Sequence, residues 1–293
     1  MKRRTNQGSK VILITGCSSG FGMLATARFA SQGHNVIATM RDLNKQGMLF
    51  SELKERQANA DIMQMDVTDV ASVQETIRTI GAKYGHIDIL INNAGIAIGG
   101  AFEDLSQEEI RRVMETNFFG VQNVTRAVIP LMRAKKQGKI ICVSSISGFY
   151  ASPGFSAYCA SKWALEAFCE SLSYELKFFG IDVSMVEPGS YKTRIFGDNM
   201  HLAEKFHDEE SPYFAMSQFL LKRVNEGIAD NHRDPEDVVR VMERIINTKH
   251  PKLRYHTEIE GKFLMFLRRI LPFSIFSWIY RKLLFKGLKL QDQ

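Results

Sequence analysis

Short apolar segments alternate with longer amphipathic segments along most of the chain, and no other feature of the sequence restricts the fold as much. The segments KVILIT at 10–15 and NVIATM at 35–40 are apolar almost throughout. Apolar strands of this kind are typical of parallel sheets that helices cover on both faces. The alternation therefore predicts a single-domain α/β protein, a doubly wound Rossmann fold with a parallel sheet of about seven strands.

The same pattern, together with helix-capping residues, predicts where the elements lie. The predicted strands cover 10–15, 35–40, part of 60–69, 87–95, 139–145, 181–190 and 252–260. The predicted helices cover 20–33, 69–85, 106–138, 158–180 and 234–247. Ser106 and Glu109 have the spacing of a capping box. Asp234 is the expected N-cap of the last of these helices, with Pro235 at its first position.

Charge and cysteine content limit the classes of function. The chain has a formal net charge of +6, and the segment 261–293 alone carries seven Lys/Arg against one Asp, a net +6. Residues 1–260 are therefore neutral overall and lack the basic face that nucleic-acid binding requires. The four cysteines and seven histidines show no metal-ligand spacing. We therefore expect reduced thiols, no metal and a cytoplasmic protein.

A glycine-rich segment, LITGCSSGFG, lies where the first strand leads into the first helix. Gly16, Gly20 and Gly22 would allow a pyrophosphate to approach the backbone at the positive end of that helix. Glycines also serve tight packing of a helix on a strand, so the loop alone is a weak signal. Its position after the first strand of an alternating chain predicts dinucleotide binding.

The end of the second predicted strand indicates which dinucleotide is bound. An acid that would hold a ribose 2′-hydroxyl is absent there, and the sequence instead supplies Met40 and Arg41. An arginine suits a 2′-phosphate, so we predict NADP(H) in preference to NAD(H). The alternative is that Arg41 is a solvated loop cation, and the carboxylate of Asp42 directly after it argues in that direction.

Several further motifs, taken with the glycine loop, resemble the short-chain dehydrogenase/reductase family over most of residues 10–195. The motifs are TGxxxGxG at 15–22, DVTD at 66–69, NNAG at 92–95, Asn117, Ser145, YxxxK at 158–162 and PGSYKT at 188–193. The segment after residue 250 is similar to the 17β-hydroxysteroid and retinol dehydrogenase-like subgroup. The resemblance implies an oxidoreductase that acts on a lipophilic alcohol or ketone and forms a homodimer or homotetramer.

The resemblance also implies the residues that hold the cofactor. They are Thr15, Gly16, Ser18, Ser19, Gly20, Phe21, Gly22, Arg41, Asp66, Val67, Asn93, Ala94, Gly95, Tyr158, Lys162, Pro188, Gly189 and Thr193. Among these, Asp66 would contact the adenine, and Gly189 and Thr193 would contact the nicotinamide amide.

Tyr158 and Lys162 are the candidate catalytic pair. On a helix they lie one turn apart on the same face. A free tyrosine has a pKa of about 10, and a nearby cation favours the phenolate and lowers that pKa. Tyr158 is thus expected to exchange a proton with the substrate oxygen while the nicotinamide exchanges hydride with its carbon. A packing role for Tyr158 and a surface position for Lys162 are the alternatives.

Two other residues complete the expected catalytic set. Ser145, at the end of the fifth predicted strand, would hydrogen-bond the substrate oxygen. Ser144 is the neighbouring alternative, although strand alternation would direct it to the other face. The resemblance implies that Asn117 holds a water that relays protons to Lys162, and that Lys162 also binds the nicotinamide ribose. A solvated polar residue within a helix is the alternative for Asn117.

The last hundred residues are less regular. Phe, Met and Leu among polar residues at 194–227 suit either a mobile lid over a lipophilic pocket or helices packed on the sheet. We take 1–260 as the catalytic domain and 261–293 as a basic amphipathic extension of it, in which Pro272 would break a helix. No apolar window of about 20 residues predicts a membrane span. The extension fits a peripheral membrane contact, a cover for the pocket mouth, or a subunit contact.

Two functions outside catalysis are compatible with parts of this sequence. A non-catalytic protein that senses NADP(H) would use the same fold and would have less need of a complete acid–base set. A membrane-docked scaffold would depend mainly on the extension at 261–293. The combined presence of Ser145, Tyr158 and Lys162 favours an NADP(H)-dependent dehydrogenase or reductase over both.

Overall fold

The structure is a computed structural model that describes residues 8–191, 200–229 and 232–288. Its main sheet has seven parallel strands in the order β3-β2-β1-β4-β6-β7-β9, and β5 and β8 form a second, two-stranded sheet. The strands are β1 Val11–Thr15, β2 Asn35–Met40, β3 Asp61–Gln64, β4 Ile89–Asn92, β5 Ala97–Gly99, β6 Gly138–Val143, β7 Ile181–Glu187, β8 Met200–Leu202 and β9 Arg254–His256. The doubly wound α/β fold predicted from the sequence is confirmed.

Ten helices are present in the described residues. They are α1 Gly20–Ser31, α2 Gly47–Glu55, α3 Val70–Tyr84, α4 Gln107–Met114, α5 Gly120–Lys135, α6 Ser156–Lys177, α7 Phe214–Ala229, α8 Glu236–Asn247, α9 Ile259–Ile270 and α10 Phe273–Leu284. None of them is long and apolar enough to cross a membrane. The break that Pro272 predicts is confirmed, because α9 ends two residues before it and α10 begins directly after it.

The core has two layers, one on each face of the main sheet. Val11 and Leu13 of β1 pack with residues of α3, α5 and α6, whereas Ile12 and Ile14 pack with residues of α1, α2 and α8. Because successive side chains of a strand point to opposite faces, an unbroken apolar run supplies both layers. The sequence pattern of the strands is thus explained by burial on both sides.

The helix boundaries agree with the capping signals to within one or two residues. The capping box of Ser106 and Glu109 is present in both directions at the start of α4. Asp234 accepts a hydrogen bond from the Glu236 amide at 3.0 Å. Helix α8 nevertheless begins at Glu236, with Pro235 in the N-cap position, one residue later than predicted.

Some elements were not predicted. The sequence predicted one helix over 106–138, but a π-turn at Glu115–Phe119 separates α4 from α5. Helix α2 and the small sheet of β5 and β8 were also missed. Strands β5 and β8 have three residues each and pair across a hundred positions, so their pairing is set by tertiary structure and no local periodicity indicates it.

Candidate active site

The main crevice lies where the strand order reverses. After β3 the chain returns to the other side of β1, so the carboxyl ends of β1 and β4 border a gap between the loops that follow them. Open α/β sheets bind ligands at this position. The crevice has a volume of about 510 Å³, within the range of small-molecule and cofactor sites.

The glycine loop leaves its wall of the crevice free of side chains. Gly16 has φ of +71°, and a Cβ there would lie 2.7 Å from the Ala94 Cα. A Cβ on Gly22 would collide with the Asn93 amide and with the Gly16 carbonyl. Both positions therefore require glycine. The loop leads into the amino end of α1, where backbone N–H groups and the helix dipole favour an anionic ligand.

Thr15 and Asn93 fix this loop to the end of β4. The Thr15 hydroxyl accepts hydrogen bonds from the backbone N–H groups of Asn93 and Ala94, each at 3.0 Å. The Asn93 side chain donates to the carbonyls of Thr15 and Gly16 at 2.9 and 3.0 Å. These two residues thus hold the two loops that border the crevice in a fixed relation.

Cations gather at the far end of the crevice, beyond β2. Arg41, Lys45 and His201 all line it. Their proximity is reflected in His201, whose pKa is lowered first by burial and then by the charges of Arg112, Arg41 and Lys45. The Asp42 carboxylate accepts a hydrogen bond from the Asn44 amide at 3.0 Å and caps the turn Leu43–Lys45. This end of the crevice can therefore hold an anionic group.

Tyr158, Ser145 and Lys162 meet at the other end, and all three are at least 95% buried. Tyr158 and Lys162 lie in the first turns of α6, and the Lys162 Nζ is 5.7 Å from the centre of the Tyr158 ring. The Lys162 ammonium donates to the Val143 carbonyl at the end of β6, at 2.9 Å. Ser145 begins the turn that follows β6 and hydrogen-bonds Tyr158.

Burial governs the protonation of this pair. It raises the pKa of Tyr158 to about 12, and the hydrogen bond from Ser145 opposes it only in part. Burial also lowers the pKa of Lys162 to about 8, although electrostatic interaction with Cys142 and Glu166 acts to raise that pKa. In the protein by itself the pKa of Tyr158 therefore lies above its ordinary value, contrary to the expectation of a lowered pKa, because the cost of burying the phenolate is the largest influence on it. At neutral pH the phenol is protonated.

Ser144 and Ser145 contact different groups. Ser145 hydrogen-bonds Tyr158, whereas Ser144 lies near Glu166 of α6. A Cβ at Gly148 would lie 2.8 Å from the Glu166 Cγ and 3.1 Å from the Ser144 Oγ. Both serines line the crevice, and Ser145 is the one beside the tyrosine. The opposite orientation predicted for the two serines stays a prediction.

Asn117 lies behind the crevice, in the π-turn. Its Oδ1 accepts from the Ile96 amide at 2.9 Å, and its Nδ2 donates to the Ile96 carbonyl and to the Ser161 hydroxyl at 2.9 and 3.0 Å. The side chain thus clamps the segment between β4 and β5 against α6. π-Turns frequently occur at functional sites. The predicted water relay through Asn117 stays a prediction.

Most of the residues predicted to bind the cofactor line the crevice. They are Gly16, Ser18, Ser19, Gly20, Phe21, Arg41, Asp66, Val67, Asn93, Ala94, Gly95, Tyr158, Lys162, Pro188 and Gly189. Thr15 and Gly22 support the loop from outside the lining, and Thr193 lies outside the described residues. The crevice is also lined by Met40, Asp42 and Ser144, which the sequence pointed out without assigning them to the cofactor, and by residues that it missed: Lys45, Met65, Ile96, Thr116, Val143 and His201. Lys45 was detectable, since it lies four residues after Arg41.

Aromatic residues cluster where the loop before α6 meets α10. The hydroxyls of Ser152 and Tyr280 lie 2.9 Å apart, and the Tyr150 and Tyr280 rings are 5.8 Å apart between centres. The loop before α6 therefore rests on α10. A small apolar cavity of about 20 Å³ lies nearby, between Phe155, Leu202, Phe206 and Leu220. The region that the sequence left open as a lid contains β8 and α7, and both contribute to this cavity.

Comparison with known proteins identifies the family. A model of the short chain dehydrogenase family matches residues 10–202, which is more than half of the chain. The chain therefore belongs to the short-chain dehydrogenase family, and it is an oxidoreductase of the class that interconverts CH–OH and C=O groups.

Three relatives illustrate the range of the match. The chain is 37% identical over 245 residues to a 3-ketodihydrosphingosine reductase of Bacteroides thetaiotaomicron, covering 84% of this chain and 86% of that one. It is 34% identical over 275 residues to retinol dehydrogenase 8 of Bos taurus, covering 90% and 86%. A crystal structure of an actinorhodin polyketide ketoreductase variant with NADPH has 28% identity and a TM-score of 0.69, covering 85% and 95%.

Proposed function

We propose that this enzyme uses NADP(H) to interconvert a lipophilic primary or secondary alcohol and its carbonyl compound, with Tyr158 as general acid and base. The observation that carries the proposal is the meeting of Ser145, Tyr158 and Lys162 at one end of a crevice whose other end can hold an anion. The nicotinamide, when bound, supplies or accepts the hydride.

The three side chains would divide the remaining work. In reduction, the protonated Tyr158 donates its proton to the carbonyl oxygen as negative charge develops there. The Ser145 hydroxyl hydrogen-bonds the same oxygen and stabilises that charge. Lys162, which lies 5.7 Å from the Tyr158 ring, then stabilises the phenolate that remains. Burial of Tyr158 excludes water from the proton transfer, and it also keeps the phenol in its acidic form.

The preference for NADP(H) rests on residues of this chain. Arg41 and Lys45 lie together on the crevice beyond β2, where the family fold holds the adenosine ribose. Two cations suit a 2′-phosphate. The Asp42 carboxylate, the feature that argued against this assignment, accepts a hydrogen bond from the Asn44 amide in its own turn.

A lipophilic substrate is supported by two independent features. The loop that leads into α6 packs Tyr150 against Tyr280, and a small apolar cavity is lined by Phe155, Phe206 and Leu220. The names of two relatives refer to a sphingoid base and to retinol, which differ in structure but share long apolar chains. We therefore expect the apolar character of the substrate to matter more than one particular skeleton.

A homodimer or homotetramer is part of the proposal. Trp163, Tyr174 and Phe178 are exposed on α6 at spacings that place them along one side of the helix. An exposed aromatic stripe of this kind is suited to a second copy of the chain.

The decisive experiment is turnover of a panel of lipophilic ketones and alcohols, followed by NADPH absorbance, in the wild type and in Tyr158→Phe. We expect the variant to lose at least a hundredfold in kcat, the usual contribution of general acid–base catalysis, while it binds NADPH nearly as tightly. NADPH binding without turnover across the panel would favour the sensor that the sequence left open. Undiminished turnover in the variant would refute the role of Tyr158.

The cofactor assignment has its own test. Arg41→Ala and Lys45→Ala together should raise the KM for NADPH at least tenfold and leave the KM for NADH almost unchanged, because only NADPH carries the 2′-phosphate. Lys54→Ala, on α2 and away from the crevice lining, is the matched control. Equal effects on both cofactors would show that these cations do not select the phosphate.

A further inference from the structure

The two C-terminal helices expose an unusual amount of apolar surface. The described residues contain sixteen large hydrophobic side chains that are exposed, and eight of these lie between residues 263 and 283. We call these eight the tail surface: Phe263, Phe266, Ile270, Phe273, Ile275, Trp278, Ile279 and Leu283. Single exposed apolar residues are ordinary, but a concentration of this kind marks an interaction surface.

The tail surface follows helical geometry and is not scattered. At 100° per residue, Phe263, Phe266 and Ile270 fall within about 60° on α9. On α10, Ile275, Trp278, Ile279 and Leu283 fall within about 140° by the same spacing, and Phe273 at the start of the helix lies outside this arc. Each helix therefore presents one apolar stripe to the outside.

A different face of α10 already has its partner within the chain. Phe276 is buried and stacks on Tyr280, and the Tyr280 hydroxyl lies 2.9 Å from the Ser152 hydroxyl. Arg223 of α7 donates to the carbonyls of Leu283 and Leu284 at the end of the helix. The inner face of α10 is thus used within the chain, which leaves the tail surface for something outside it. The cover of the pocket mouth that the sequence left open stays a prediction.

Charge decides what that partner is. No acidic residue occurs between residues 263 and 288, whereas Arg268, Arg269, Arg281, Lys282 and Lys286 lie there. The Lys282 ammonium lies 4.1 Å above the centre of the Trp278 ring, so cation and apolar surface are in direct contact. A second copy of the chain would bring these cations against each other. A negatively charged membrane surface complements both the charge and the apolar stripes.

We infer that the tail surface docks the protein onto anionic lipid bilayers. Because the inner face of α10 holds the loop that carries Ser152 and leads to Tyr158, docking would place the crevice entrance next to the lipid. A lipophilic substrate would then transfer between bilayer and crevice over a short path. This second step rests on the proposed function, whereas the docking itself does not.

The test is co-sedimentation of the full-length protein with vesicles of phosphatidylglycerol and phosphatidylcholine, compared with phosphatidylcholine vesicles. We expect at least tenfold tighter binding to the anionic vesicles, and weaker binding as salt is added. Lys282→Gln with Lys286→Gln should weaken it about fivefold for each cation removed. Phe263→Ser with Phe266→Ser should weaken it at least tenfold. Phe50→Ser, which removes an exposed aromatic on α2, is the matched control and should change nothing.

Fluorescence gives a second readout at the surface itself. The chain has two tryptophans, so Trp163→Phe leaves Trp278 as the sole reporter, and its emission should shift to shorter wavelength on anionic vesicles. Equal binding to both kinds of vesicle would overturn the inference. The inference would also be overturned if the protein formed a dimer without lipid and the substitutions at Phe263 and Phe266 dissociated that dimer. The tail surface would then be the contact with a second copy.

Activity assays separate this inference from the proposed function. The variants at Lys282 and Lys286 should keep wild-type turnover of a water-soluble ketone and lose turnover of a ketone carried in anionic vesicles. If these variants no longer bind vesicles but keep both activities, the transfer step is refuted and the docking is not. A Tyr158→Phe variant that binds vesicles normally but retains turnover would refute the proposed mechanism and leave the docking intact.

Discussion

Two regions of this molecule depart from the usual arrangement of polar and apolar residues, and they do so in opposite ways. Where β7 ends beside β9, the chain brings together Glu166 of α6, Glu187, Arg254 and His256, and both carboxylates are buried. In α9 and α10 it exposes the tail surface. The charge cluster lies beside the candidate active site, since Glu166 and Ser144 both lie against Gly148 and Glu187 directly precedes Pro188. The two regions differ in what stabilises them.

The two glutamates of this cluster are paired within the chain. The Arg254 Nε lies 3.1 Å from the Glu166 Oε2 and 3.6 Å from the Glu187 Oε1, and its Nη2 lies 2.6 Å from the Glu170 Oε2. Glu187 also pairs with His256. Buried charges persist when they are paired. The apolar side chains of the tail surface, in contrast, are not covered by other described residues. This surface therefore points to a partner outside the chain.

The largest effect on stability is expected from removing Arg254, the central cation of the charge cluster. Arg254→Met leaves Glu166 and Glu187 buried together without their shared partner. We expect a loss of about 3 kcal/mol in the free energy of unfolding, measured by urea denaturation at pH 7.5. Arg78→Met removes an arginine from an exposed pair with Glu75 and should cost less than about 1 kcal/mol.

The double variant Arg254→Met with Glu166→Gln sharpens this result. Replacing one carboxylate by a neutral amide removes the repulsion that the lost cation had balanced, so part of the stability should return. Equal small losses for Arg254→Met and Arg78→Met would show that the cluster is solvated and does not act as a buried unit.

A smaller effect is expected from the titration of Glu166. Burial, and then the charge of Glu187, raise the pKa of Glu166 to about 7 from an ordinary 4.5. Between these two pH values the folded protein binds a proton that the unfolded chain has released. Its stability therefore falls as pH rises through this window, by an amount on the order of 2 kcal/mol. Urea denaturation from pH 4.5 to 8 should show a flatter profile for Glu166→Gln, and identical profiles would contradict the assignment.

The sequence predicted the sheet and the candidate catalytic residues that meet at one end of the crevice, because both depend on local signals. Apolar strands and the spacing of Tyr158 and Lys162 are visible within a few residues. The π-turn around Asn117 and the pairing of β5 with β8 depend on long-range contacts, so no local pattern indicated them. The raised pKa of Tyr158 was missed for the same reason, since it depends on how deeply the residue is buried. In the extension, the amphipathic composition is a local signal, whereas the face of α10 that packs inward depends on contacts with distant residues.

The smallest expected change in stability concerns the tail surface. It tests whether this surface, unlike the charge cluster, lacks a partner within the chain. If its partner lies outside the chain, polar substitutions there should hardly affect folding. Ile275→Ser should change the free energy of unfolding by less than about 0.5 kcal/mol. The next residue is the matched comparison, because Phe276 is buried against Tyr280, and Phe276→Ser should cost about 3 kcal/mol. Chemical denaturation of both variants without lipid measures the difference. A large loss in Ile275→Ser would mean that the residue is packed within the protein, and the tail surface would then need no external partner to explain it.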